Sequence, residues 1–205
     1  MDNTYRRRRL IWIAVLGTAL ACISVAAALT AAEAKTSLPP GEKEDIVMPM
    51  TITSPSFRHD GAIPVRHTCD GLNISPLLDW AGVPAGSKSL ALIVDDPDAP
   101  DPGAPRMTWV HWVIYNIPPD SHGLPETTAA EGLLPGTLQG LNDWRHTGYE
   151  GPCPPIGKHR YFFKLYALDT LLPDLKRPTK AALEKAMQGH VIGQAVLKGL
   201  YQRSR

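Results

Sequence analysis

Apolar residues run without a break from Leu90 through Val94, bracketed by Ser89 on one side and Asp95 and Asp96 on the other. A short continuous run of this kind suits a strand covered on both faces. Residues 109–117 and 161–168 are rich in aromatic and β-branched side chains and are also predicted as strands. Proline and glycine clusters at 97–105, 118–123 and 148–157 separate these runs. One helix is predicted over 179–188: Pro178 is a start signal, Ala182, Leu183, Ala186 and Met187 form an apolar face, and Gly189 ends it. Beyond it, Ala195, Leu197 and Tyr201 alternate with Lys198 and Gln202, which predicts a final strand over 195–203. Val196 and Leu200 blur that alternation and keep a continued helix as the competing reading. The whole pattern points to antiparallel β structure with long functional loops.

The N-terminal part reads differently. Arg6 to Arg9 precede an apolar stretch over 10–32, and Ala32-Glu33-Ala34 offers a cleavage site, so 1–34 is expected to be a signal peptide or N-terminal membrane anchor. Positive charge ahead of the apolar stretch would leave the folded part exported, periplasmic or extracellular, with a membrane contact only through an uncleaved 10–32 segment. Residues 35–48 are poor in large apolar side chains and read as a linker, leaving 49–205 as one domain. Removing four arginines and two acids with residues 1–34 leaves 17 basic against 18 acidic residues. That balance gives no electrostatic reason to expect nucleic acid as a partner. Two cysteines remain, Cys69 and Cys153, and both a disulfide between them and two buried small side chains are consistent with the sequence.

Candidate chemistry gathers in three segments, each beside a predicted strand: Asp96-Pro97-Asp98-Ala99-Pro100, Trp109-Val110-His111-Trp112, and Gly151-Pro152-Cys153-Pro154-Pro155 with His159-Arg160-Tyr161. Prolines restrict the first loop, and a preordered loop loses less entropy on binding. His111, inside an apolar run, is expected to be neutral unless an anion or acid pairs with it. His159 and Tyr161 are two apart on a strand and so share a face. Two histidines and a phenol can cradle an oxyanion with loop N–H groups. Each residue taken singly also has a structural reading, the aspartates as turn caps above all. A metal set of Asp96, Asp98, His111 and His159 competes, but no H-x-x-x-H or C-x-x-C spacing is present. No G-x-S-x-G element marks a nucleophile.

At these residues the chain resembles the phosphatidylethanolamine-binding protein family, in particular its bacterial, Raf-kinase-inhibitor-like branch. The resemblance runs through His67-Thr68-Cys69-Asp70-Gly71, Ile74-Ser75-Pro76, the segment 90–100, His111-Trp112-Val113, Asn116-Ile117-Pro118, Gly148-Tyr149, the segment 151–155, His159 to Phe163 and Gly189-His190-Val191. It implies two antiparallel sheets in a β-sandwich-like arrangement with a few peripheral helices, and a small anion pocket at one end. Carried over by motif, the ligand-binding residues are Asp96, Asp98, Pro100, His111, Gly151, His159 and Tyr161. Two stretches depart from the pattern, 77–80 and Trp144-Arg145-His146, and neither is expected to touch the pocket motifs. The loop between Pro155 and His159 is shorter than in eukaryotic members.

The expected function is a non-enzymatic module for a small anion or phosphorylated head group, without a cofactor and with no catalytic residues. In it His111 and His159 donate to the ligand, loop amides near Gly151 assist, and Asp98 and Pro100 shape the loop. A surface-acting inhibitor or signalling protein with a vestigial pocket, and a His/Asp hydrolase, are the alternatives. A protein partner and a homodimer stay open.

Overall fold

The structure is a computed structural model that describes residues 49–127 and 133–204. In chain order the strands are β1 (Thr51–Thr53), β2 (Gly61–Ala62), β3 (Leu78–Ala81), β4 (Ser89–Asp96), β5 (Trp109–Ile117), β6 (Gly123–Leu124), β7 (Leu138–Gln139), β8 (His159–Leu168) and β9 (Val191–Tyr201). A single α-helix, α1 (Lys180–Met187), lies between β8 and β9, and one 3-10 turn spans Val65–His67.

The strands form two sheets, one in the order β1-β3-β6 and the other β2-β9-β8-β4-β5-β7. This is the mainly β, two-sheet architecture the sequence predicts, with one difference in direction and one in helix number. The short edge strand β2 runs parallel to β9, while the remaining pairs are antiparallel. Where a few helices were expected, the described residues contain only α1 and the 3-10 turn.

The position of β4 explains its unbroken apolar run. Alternation sends Leu90, Leu92 and Val94 into the core shared with Ile52, Leu78 and Trp80 of the small sheet. Ala91 and Ile93 point the other way, into a second core with Leu183 and Met187 of α1. All eight β4 residues are buried, so its acidic side chains need charged partners, and Asp95 is met by Lys164 and Lys180 and Asp96 by His159. Thr179 caps α1 by accepting the Ala182 N–H, as its position before the helix requires. The last strand starts at Val191, earlier than the sequence suggested, because β9 pairs along nearly its whole length with the long strand β8.

Among the described residues no helix is long and apolar enough to cross a membrane. The expectation of a membrane anchor, and of a location derived from it, is therefore withdrawn. The segments 1–34 and 35–48 on which it rested lie outside the described residues.

Candidate functional site

Strand register brings the three motif segments to one end of the large sheet. The C-terminal end of β4 pairs there with the first residues of β5, Asp96 opposite Trp109, and with the beginning of β8, Asp95 opposite Phe162. A β-bulge then aims the central histidine. Val94 pairs with Trp112 but Asp95 pairs with Val110, so His111 is the extra residue on β5. Bulges of this kind re-aim side chains and are common beside binding sites.

The resulting cavity holds about 380 Å³ and is bounded by Asp96, His111, His159 and Tyr161, with Pro100, Met107, Trp109, Trp144, Pro154 and Pro155 forming much of its wall. Ala99 and Cys153 complete the lining. Most of the wall is apolar, and the polar atoms converge at the strand ends, which is the usual composition of a ligand pocket.

His111 is strapped in place by the segment that follows Gly148. Its main-chain carbonyl accepts the Glu150 N–H at 3.1 Å, and its ring Nδ1 lies 2.6 Å from the Glu150 carbonyl, which can only accept. Nδ1 therefore carries the proton, and Nε2 of the neutral ring is an acceptor. Burial pushes the His111 pKa down from 6.5 to about 4, so the neutral form prevails at neutral pH.

His159 is held at both ring nitrogens. Nδ1 lies 2.7 Å from Asp96 Oδ2, and Nε2 lies 3.0 Å from the Ile156 carbonyl. Burial raises the Asp96 pKa, opposed by its hydrogen bonds to His159 and to the Asp98 N–H. Tyr161 stacks over His159 at 6.3 Å and meets His111 edge-on at 5.2 Å. Its hydroxyl is buried without a hydrogen-bond partner of good geometry, and burial pushes its pKa up.

The site residues expected from the sequence divide into two groups. Asp96, Pro100, His111, His159 and Tyr161 line the cavity; Asp98 and Gly151 do not. The Asp98 carboxylate accepts the Arg160 N–H and Nε–H at 2.9 Å and Nη2–H at 2.6 Å, tying the 97–105 loop to the start of β8. Those bonds to Arg160 hold its pKa below the ordinary carboxylate value. The Gly151 N–H donates to Asn73 Oδ1 at 2.7 Å, so it is not free to assist an anion. A Cβ at Gly151 would stand 2.4 Å from the His67 carbonyl oxygen, which accounts for glycine there by close approach. His159, with both nitrogens engaged, positions the site instead of donating to a ligand.

Trp144 corrects a further expectation. The Trp144-Arg145-His146 stretch reaches the pocket, because the indole of Trp144 meets Trp109 at 5.4 Å and His111 at 5.2 Å, both edge-to-face. Asn142 shapes this turn by accepting the N–H groups of Trp144 and His146. An N-D-W turn gives no periodic signal that would place its tryptophan over a distant strand. The tetrad considered for a metal does not assemble, and among the described residues no group of three or more His, Cys, Asp or Glu could hold a metal ion. Cys69 and Cys153 are joined by a disulfide with Cα atoms 5.4 Å apart, and the Cys69 N–H also donates to the Pro152 carbonyl at 3.1 Å.

Comparison with known proteins places the sequence and the fold. A UPF0098 protein of Methanothermobacter thermautotrophicus is 56% identical over 155 residues, covering 75% of this chain and 99% of that protein. The crystal structure of a putative phosphatidylethanolamine-binding protein homologue from Chlamydia trachomatis has 42% identity and a TM-score of 0.69, over 76% of this chain and 99% of the other. That of E. coli YbcL, a member of the mammalian family, has 32% identity and a TM-score of 0.69, over 77% of this chain and 100% of the other. The family model for phosphatidylethanolamine-binding protein matches residues 53–202. Three-quarters of the sequence, both sheets and the strand-end cavity thus lie within one family pattern, and the chain belongs to the phosphatidylethanolamine-binding protein family.

Proposed function

We propose that the protein is a non-enzymatic binding module whose cavity takes a small oxyanion or a phosphorylated head group such as phosphoethanolamine. The observation that carries this reading is the gathering of Asp96, His111, His159 and Tyr161 at one end of a largely apolar cavity of about 380 Å³. The names of the family and of its relatives support the choice of a phosphorylated head group. Within the family, the short loop between Pro155 and His159 favours the bacterial, Raf-kinase-inhibitor-like branch.

The residues divide the work. Tyr161 Oη donates to a ligand oxygen, His111 meets the ligand through Nε2, and the Asp96–His159 pair keeps both β8 side chains in register with β4. Trp109, Trp144 and Met107 contact the organic part of the ligand. Titration of the 205-residue chain with inorganic phosphate and phosphoethanolamine, followed by two-dimensional NMR, tests the reading. Saturable shifts at Asp96, His111 and Tyr161 are expected; silence there at millimolar ligand defeats it. Simple phosphate and carboxyl esters should show no turnover above that of His111→Ala, and turnover lost in that variant would restore the hydrolase reading.

A further inference from the structure

The cavity presents an unusual face for an oxyanion site: no lysine or arginine lines it. Its four polar side chains also supply little hydrogen-bond donation. Asp96 uses Oδ1 to accept the Asp98 N–H and Oδ2 to meet His159. His159 has both nitrogens against acceptors. His111 commits its Nδ1–H to the Glu150 carbonyl, leaving a lone pair on Nε2. Tyr161 Oη interacts with Asp96 but makes no hydrogen bond of good geometry, so it is the one donor of the four left for a ligand.

No neighbouring group provides a standing positive charge either. On β4, Asp95 acts on His111 through its charge and is paired with Lys164 and Lys180 at 2.7 and 2.6 Å, and Lys180 also lies 3.7 Å from Glu184, so this cluster of two lysines and two carboxylates carries no excess charge. Asp96 is matched by His159 on β8, and Tyr161 is a neutral phenol whose pKa burial has raised. On the loops, Asp143 accepts the Val110 N–H, and His146 lies 3.2 Å from the Glu150 carboxylate. A fully ionised dianion entering here would set an unprotonated oxygen against the lone pair of His111 Nε2, which costs the desolvation of both.

We propose that this cavity selects oxyanions that carry a proton, taking phosphate monoesters as monoanions in preference to sulfates and phosphodiesters, with the ligand P–O–H donating to Nε2 of His111 and Tyr161 Oη donating to a second ligand oxygen. The inference rests on the reading that the cavity binds an oxyanion, and adds the chemical class of that ligand. A phosphate monoester loses its second proton near pH 6, so it offers the required donor in mildly acidic to neutral solution. Sulfate and phosphodiesters have no proton to offer there, and binding them would require His111 to take one from solvent. Low pKa of the buried ring makes that uptake unfavourable at neutral pH.

The test is isothermal titration calorimetry of the 205-residue chain with inorganic phosphate, phosphoethanolamine, sulfate and glycerophosphoethanolamine, at about pH 6 and about pH 8. Phosphate and phosphoethanolamine should bind at least about tenfold more tightly than sulfate and the diester at the lower pH. Phosphoethanolamine, whose second pKa lies near 6, should lose about fiftyfold in affinity between the two pH values, with proton uptake per ligand rising from about one-half to about one in buffers of different ionisation enthalpy; inorganic phosphate, which loses its second proton about one unit higher, should lose several-fold. His111→Gln, which places an amide able to donate where the lone pair was, should bring sulfate to within a few-fold of phosphate. Sulfate binding as tightly as phosphate, or phosphate affinity unchanged between the two pH values, overturns the selection while leaving a binding module. Absence of saturable binding by all four probes overturns the binding reading itself. Should His111→Gln not fold by circular dichroism, the four-ligand comparison on the unaltered chain decides.

Discussion

The Asp96 carboxyl lies between the Asp98 N–H at 2.8 Å and the His159 ring at 2.7 Å, joining the end of β4 to the start of β8 beneath the cavity. One proton sits in the Asp96–His159 contact whichever partner owns it, because the other ring nitrogen of His159 must donate to the Ile156 carbonyl. Asparagine can reproduce this arrangement, its Oδ1 accepting from Asp98 and its amide donating to His159. Alanine leaves a buried ring nitrogen and a buried N–H unpaired. Asp96→Ala is therefore expected to be about 1–3 kcal/mol less stable than Asp96→Asn, measured by urea unfolding at neutral pH. Equal losses in the two variants would show that the contact depends on a full negative charge.

Stability should rise with pH through the weakly acidic range because of His111. Its folded-state pKa of about 4 lies below the unfolded value of 6.5, so in between the unfolded chain binds a proton that the folded chain does not. The stabilising contribution is complete above pH 6.5 and is lost as pH falls toward 4, at up to about 1.4 kcal/mol per pH unit. His67, whose pKa is also lowered by burial, acts in the same sense. Urea midpoints measured across this range in wild type and His111→Gln should converge on the acid side, and parallel curves would refute the assignment.

Cys69 and Cys153 close a loop spanning 84 positions and anchor the 148–155 segment that straps His111. In the chain-entropy account, cross-linking a loop of this length disfavours the unfolded state by about 4–5 kcal/mol. The double variant Cys69→Ser, Cys153→Ser should therefore lose about 3–5 kcal/mol in urea unfolding, and reductant should destabilise wild type but not the variant. A reductant effect that persists in the variant would locate the sensitivity elsewhere.

How much of this was legible in the sequence depends on the kind of signal each residue gives. The run Leu90 to Val94 reveals β4 because a strand covered on both faces has no polar positions to hide it, and β5 is found at its observed bounds from its aromatic and β-branched residues. Polar residues flanking such strands locate the site, since antiparallel register brings the end of one strand beside the start of the next. Roles within the site were less accessible. Asp98 reads as a ligand but clamps Arg160, and Gly151 reads as an amide donor but already serves Asn73. Whether a polar group faces a cavity or a neighbour is decided by partners distant in the chain. The bulge at His111 is likewise a property of pairing, not of local composition.

Trp144 provides the last expectation, and it separates packing from electrostatics. Its ring lies against both Trp109 and His111, yet the residue remains 39% exposed, so its removal should open the cavity wall without emptying the core. Two edge-to-face contacts of about 0.5–1.5 kcal/mol each set the scale of the stability loss, to be measured by urea unfolding. The larger effect falls on His111. Desolvation is the leading cause of its low pKa, and Trp144→Ala admits water to one side of the imidazole. The pKa of His111 should then move up from about 4 toward the ordinary 6.5. The imidazolium gains a donor at Nε2, so sulfate binding should strengthen relative to phosphate in the same variant. NMR titration of the histidine ring in wild type and Trp144→Ala measures the shift directly. A His111 pKa unmoved by the substitution would mean that the neutral ring is maintained by the Glu150 strap and the β5 bulge, with the indole contributing contact area alone.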